Sequence, residues 1–268
     1  MLPGEETLDH SVADKSIQNR LLSEVIVSRG KPIAEFADSL ELLRAMRDAV
    51  KGHRSLLEKG RILHRDISIN NIMITINREA RPDRFYGFLI DLDLAIDVEA
   101  TEPSGVIDRT GTWEFMSIEA IDGKPDFIHT YYHDLQSFLY VFIWIVAGEK
   151  LRKELVEKWD SKHAGAYKLS QMITWEEFAS LLRGIENSVN RKVVEVLRGV
   201  LWPDWGRLRK PEELMRDDKR VEFYEGMISG FQMGVDMLEG VEEPVKGVEE
   251  PVKGIKEPVK GKRNALSL

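Results

Sequence analysis

The stretch that most limits the fold is HDLQSFLYVFIWIVAG, from His133 to Gly148. Behind its polar leading residues it is apolar all round, leaving no face for water, and so it predicts a helix buried on every side. Its uncharged part is shorter than the roughly 20 residues a bilayer-crossing helix needs. The burial must therefore come from the protein's own core. WEEFASLLRGI, RKVVEVLRGVLW and RVEFYEGMISGFQMGVDML supply covering helices, each with apolar residues at helical spacing. A chain of 268 residues, 43% hydrophobic, holds one sizeable core or two small domains.

Upstream, DSLELLRAMRDAVKGHRSLLEKG reads as an amphipathic helix. Asp38 and Glu41 have capping-box spacing, Leu43, Met46, Val50 and Leu57 form the apolar stripe, and Gly60 marks the end. A β-prone run at Val25–Val27 precedes it, closed by a turn at Gly30 and Pro32. Ile72, Ile74 and Ile76 alternate as in a half-buried strand, and FYGFLIDLDLAI gives a second strand beyond the polar NREARPDR. The expected fold class is α+β, mostly helical with a small β-hairpin. Residues 97–112 have no period and read as a long loop. The first 19 residues read as a mobile lead-in. From Val241 to Gly261 the chain repeats VEEPVKG, VEEPVKG, IKEPVKG, where Pro244, Pro251 and Pro258 break any heptad helix, and residues 239–268 read as an extended, disordered tail.

A net charge of −8 leaves no basic footprint, which argues against nucleic acid as a partner. The absence of Cys excludes disulfides, zinc-thiolate sites and thiol catalysis. With no secretory h-region and no membrane span in view, the expected setting is intracellular, cytoplasm or nucleus. Nothing in the composition bears on oligomeric state.

The chemistry concentrates in ILHRDISINNIMI, where a charged triplet sits in a loop feeding a strand. His64-Arg65-Asp66 followed by Asn71 has the H-R-D-x-x-x-x-N spacing of a protein-kinase catalytic loop. Downstream, IDLDLA resembles the metal-binding D-F-G segment, and GTWEFMSIEA the G-T-x-x-Y-x-A-P-E end of an activation segment. HDLQSFLYVFIWI resembles the buried helix whose leading Asp braces the catalytic loop. Together, LHRDISINNIM, LIDLDLA, RTGTWEFMSIEA and HDLQSFLYVFIWI resemble the fungal-type protein kinases over about residues 20–205.

The resemblance implies a protein-kinase-like domain over residues 20–238. Residues 20–32 would be the last amino-lobe strand and hinge, and 33–238 the helical carboxy-terminal lobe. It implies ATP and Mg²⁺ as cofactors, a protein substrate or partner, and transfer of a phosphoryl group to Ser or Thr. Asp66 would orient the attacking hydroxyl, with Arg65 answering an acidic or phosphorylated residue of the long loop. Asn71 and Asp91 would hold the metal, and hinge backbone at Val27, Ser28, Arg29 and Gly30 would meet an adenine. His64, Glu119 and Asp134 would be structural supports, Glu119 through a buried ion pair and Asp134 through the loop backbone. Thr110 and Thr112 are possible modification sites. Departures from the kinase pattern are Ser68 for the phosphate-facing Lys, Asp93 for the Gly of D-F-G and Ile118 for the Pro of A-P-E. The expected amino-terminal lobe is largely absent, since no Gly-rich loop or V-A-I-K-like strand precedes Val25. That absence motivates one alternative, a pseudokinase acting as an interaction module; a weaker one is a small-molecule kinase, which shares the catalytic core but lacks an ending like GTWEFMSIEA.

Overall fold

The computed structural model describes residues 29–76, 85–99, 111–124, 127–205 and 216–240. The lead-in, the Val25–Val27 strand, most of the long loop including Thr110, and the repeat tail beyond Gly240 lie outside the described residues. Five short strands and eight helices follow one another among those described. They are β1 (Gly30–Pro32), α1 (Ser39–Gly60), β2 (Ile62–Leu63), β3 (Ile72–Thr75), β4 (Gly87–Leu89) and β5 (Ile96–Asp97). Then come α2 (Ile118–Asp122), α3 (Tyr131–Val146), α4 (Glu149–Trp159), α5 (Ala164–Ile173), α6 (Trp175–Arg183), α7 (Ser188–Leu201) and α8 (Asp217–Glu239).

The long apolar helix lies where its composition requires: every residue of α3 from Tyr131 to Ile143 is buried. It packs on α7 and α8, with the Tyr132 hydroxyl donating to Leu201 O at 2.8 Å and Phe142 meeting Phe231 edge-on at 5.2 Å. Helix α1 begins at Asp38, whose carboxylate accepts the Glu41 amide at 2.8 Å. The Glu41 side chain reaches back one residue further than a standard capping box, to the Ala37 amide at 2.6 Å. At its far end Gly60 remains helical and Arg61 takes the left-handed cap, φ 58°.

β1, β3 and β4 form an antiparallel sheet in the order β1-β3-β4, and β2 pairs with β5. The expected hairpin is β3 with β4, in the register Ile72↔Leu89. The turn expected at Gly30 and Pro32 is instead strand β1, with Pro32 opposite Met73. An edge strand needs ladder donors on one side only, which is where Pro is tolerated. The second strand is also shorter than its apolar run suggests, because Asp91 turns left-handed at φ 65° and ends β4.

Two close approaches bind the helices to this frame. A Cβ on Gly87 would lie 2.2 Å from the Ala45 carbonyl oxygen, so β4 rests directly on the α1 backbone. Nearby, the buried Asp48 carboxylate accepts the Tyr86 amide at 2.9 Å and ties α1 to the start of β4. On α8, Gly226, Gly230 and Gly234 recur every four residues, and a Cβ on Gly234 would stand 2.5 Å from Val193 of α7. Glycine there allows α7 and α8 to approach closely.

Because the obstacle at Gly87 is backbone, Gly87→Ala must push α1 from the sheet. Overpacking of this kind costs about 1–3 kcal/mol, so the urea midpoint should fall clearly below wild type. An unchanged midpoint would mean that the contact is not a constraint.

Candidate functional site

The site is assembled on the loop between β2 and β3. His64 is buried, and its Nε2 lies 3.0 Å from the Ile90 carbonyl, which can only accept. The proton therefore sits on Nε2, leaving Nδ1 to face the Asp66 amide at 3.4 Å. Burial pushes the His64 imidazole below its ordinary value, in keeping with this neutral form. Arg65 is buried and left-handed, φ 69°, and its amide donates to Asp134 Oδ2 at 3.1 Å.

Asp66 is clamped from two sides. Its Oδ1 accepts the Thr112 amide at 2.8 Å and the Thr112 hydroxyl at 2.9 Å. Its Oδ2 accepts Asn71 Nδ2 at 2.9 Å, and the same nitrogen reaches the Asp66 carbonyl at 2.9 Å. The amide nitrogen of Asn71 is thus spent on Asp66, while its Oδ1 accepts no hydrogen bond from a described residue. Gly111, φ 120°, lets the Thr112 segment lie against the loop, since a Cβ there would be 3.1 Å from the Arg65 carbonyl.

The hairpin brings Asn71 and Asp91 to one end of the sheet. The Ile90 amide donates to the Asn71 carbonyl at 3.0 Å, so the residue just before β3 lies beside the chain leaving β4. Asp91 is exposed, with Oδ1 accepting the Asp93 amide at 3.2 Å. Positive φ falls on Asp91 rather than on Asp93, the position of the kinase glycine. Asn71 Oδ1 and the Asp91 carboxylate are hard oxygen donors. Among the described residues no group of three His, Cys, Asp or Glu side chains is placed to hold a metal. That donor set fits Mg²⁺, which takes one or two protein oxygens and completes its octahedron with waters and phosphates.

Asp134, on the first turn of α3, is fully buried and accepts from three groups: Arg65 N–H, His53 Nε2 at 2.8 Å and His129 Nε2 at 2.7 Å. Burial opposes its charge, but His129 and His53 outweigh it and hold the carboxyl well below the usual range. Glu119 corrects an expectation. Its partner is the Gln136 amide at 2.7 Å, and among the described residues it makes no ion pair. Burial pushes its carboxyl up, and a neutral amide donor suits that better than a buried cation would. Gln136 also accepts the Ile118 amide at 3.2 Å, and buried Lys168 donates to Met116 O at 2.7 Å, so α3 and α5 together hold the GTWEFMSIEA segment. Of the hinge residues, Val27 and Ser28 lie outside the described residues, Gly30 belongs to β1, and the Arg29 carbonyl accepts the Ile76 amide at 3.3 Å.

The residues that sequence reasoning missed are Gly111, Gln136, His129 and His53. For His53 the signal was present: it continues the stripe Met46, Val50, Leu57 at helical spacing, a polar ring where an apolar residue was due.

A loop-borne carboxylate thus lies between an Asn and a Thr, with an Asn–Asp oxygen pair at the nearby hairpin end. A family model described as fungal protein kinase matches residues 4–146, more than half of the chain, and the chain belongs to that family. The matched residues include the loop, the hairpin and α3. No curated protein matches the chain.

The buried histidines dictate an acid response. His133, packed on Phe127 and His129, is pushed down to about 3 by burial and the neighbouring His129 charge. A lowered histidine gives stability that is present above the unfolded value near 6.5 and lost as pH falls, because only the unfolded chain then binds the proton. Between pH 6.5 and 5 the loss from His133 should be about 2 kcal/mol, with His64 adding in the same direction. Urea unfolding across that range should show the slope, and His133→Gln should flatten it. A flat wild-type profile would contradict the assignment.

Proposed function

We propose that the chain is the helical, acceptor-binding and metal-binding part of a protein-kinase-type phosphotransferase, moving the γ-phosphoryl of ATP to a Ser or Thr hydroxyl of a protein. The observation that carries this reading is the Asp66 clamp. Thr112 and Asn71 fix both carboxylate oxygens by hydrogen bonds while leaving Asn71 Oδ1 open. A carboxylate so oriented accepts the hydroxyl proton as that oxygen bonds to the γ-phosphorus and the bridging P–O bond to the β-phosphate breaks. Position matters more than basicity, since the transition state is loose and proton transfer is late.

Asn71 and Asp91 are the residues that would hold Mg²⁺ against the phosphates. When bound, the ion supplies charge neutralisation on the β- and γ-oxygens. Thr112 joins the Asp66 carboxylate to the GTWEFMSIEA segment, the surface on which a protein substrate would lie. This makes it a clamp residue in preference to a modification site.

A second reading is a binding module without turnover, for which Leu92, 46% exposed beside Asp91, offers an apolar contact.

Thermal unfolding with Mg²⁺ and ATP separates the two. At a ligand excess of about 100-fold over Kd, binding adds roughly 2.7 kcal/mol, a shift of about 5–10 °C for a chain of this size. The shift should require Mg²⁺ and vanish in Asp91→Asn, while Asp66→Asn should keep it and abolish phosphoryl transfer. No shift in the folded wild-type protein would overturn the phosphotransfer reading, and transfer retained by Asp66→Asn would refute the role of Asp66.

A further inference from the structure

Three hydrogen bonds in the core form a chain that phosphoryl transfer does not itself use. The Tyr224 hydroxyl lies 2.7 Å from His53 Nδ1, and His53 Nε2 lies 2.8 Å from Asp134 Oδ2. That same oxygen accepts the Arg65 amide at 3.1 Å. Tyr224 and His53 are 0% exposed and Asp134 is 1% exposed, so no bulk water competes for these groups. The three side chains come from α8, α1 and α3, and the chain of bonds ends on the catalytic-type loop.

The proton inventory gives the chain a direction. Asp134, held ionised, can only accept, so a His53 ring with one proton carries it on Nε2. Nδ1 is then an acceptor, and Tyr224 must be the donor. Burial, then the charge of Asp134, raise the Tyr224 phenol well above its ordinary value, so it keeps its proton. No group in the chain is free to reverse its role without leaving a buried donor or acceptor unmatched.

The end of the chain is a strained point of the backbone. Arg65 is left-handed, a conformation in which a Cβ is crowded by the following carbonyl. Such a residue persists where its surroundings over-determine it. Asp66 follows directly, so the conformation of Arg65 sets the direction in which the Asp66 carboxylate leaves the loop.

We propose that Tyr224 and His53 are positioning residues for Asp66: the hydrogen-bond relay Tyr224→His53→Asp134 fixes the Arg65 backbone, and so couples the last described helix to the catalytic-type loop. What Asp66 then does rests on the phosphotransfer reading; the relay does not. Packing alone does not ask for these groups. Phe at 224 and an apolar side chain at 53 would fill the same volume, and burying polar groups is favourable only where each is matched. The rings do contribute packing, with Tyr224 stacked on Tyr131 at 5.7 Å, and any test must hold that part constant.

Tyr224→Phe does so, since it removes only the hydroxyl. Val193→Ala is the control, loosening the α7–α8 seam without touching the relay. In the ¹⁵N-labelled full chain, the His53 ring nitrogens report the tautomer and native-state hydrogen exchange reports the Arg65 amide. In the wild-type protein the proton is expected on Nε2 alone. In Tyr224→Phe, where the Asp134 carboxylate still holds the proton on Nε2, Arg65 should exchange at least tenfold faster than in the control at matched global stability. A wild-type proton on His53 Nδ1, or Arg65 exchange that follows global stability in both variants, would overturn the proposal. Should Tyr224→Phe not fold, His53→Gln, which keeps a donor and an acceptor, should retain Arg65 protection that His53→Leu loses; equal loss in both would also overturn it. Mg²⁺–ATP titration of the same samples keeps the two ideas apart: a wild-type protein that fails to bind sinks the phosphotransfer reading while the relay is judged on its own resonances.

Discussion

One ionised carboxylate in the interior sets the terms for the rest. Asp134 is 1% exposed, on a helix otherwise built to exclude water. An isolated charge there would be too costly to keep. It is held by donors from three directions: the loop backbone at Arg65, His53 on α1 and His129 just ahead of α3. Each must sit within hydrogen-bond reach, so the charge registers α1, α3 and the catalytic-type loop against one another more tightly than apolar packing would. Removing a donor would leave a buried charge undercompensated, which is the costly way to break such a site.

The loop inherits its shape from that anchor. Arg65 is drawn into a left-handed turn, Asp66 emerges from it, and Thr112 and Asn71 fix the carboxylate from opposite sides. The oxygen pair of Asn71 and Asp91 arises separately, from the register of β3 with β4. Two structural devices, a buried anion and a short hairpin, thus converge on one end of the sheet. Among the described residues neither device gathers three His, Cys, Asp or Glu side chains able to hold a metal.

Much of this was legible in the sequence. The all-apolar run could only be a central helix, and the spacing of Asp38 and Glu41 marked the start of α1. The Asp66–Asn71 spacing and the order of segments around it pointed to the site residues, and the family match supports the resemblance from which they were read. Less was legible where backbone conformation decides the outcome. Gly30 and Pro32 read locally as a turn, but pairing with β3 makes them an edge strand. The positive φ fell on Asp91, not Asp93, in the chain leaving β4. Long-range partners were hidden for a different reason: Gln136 for Glu119 and Tyr224 for His53 lie 17 and 171 residues away, and no local period encodes such a pairing. Only the interruption of an apolar stripe at His53 hinted that one existed.

The central proposal is that Asp66, Asn71 and Asp91 form one preorganised centre for a metal–nucleotide complex. Paramagnetic relaxation by Mn²⁺ in the presence of ATP tests it most directly, because broadening falls off steeply with distance from the ion. The account predicts ATP-dependent broadening confined to amides around Asp66, Asn71 and Asp91, with little effect on α4 or α6. Broadening spread over the acidic helical surface, or none that depends on ATP, would contradict it.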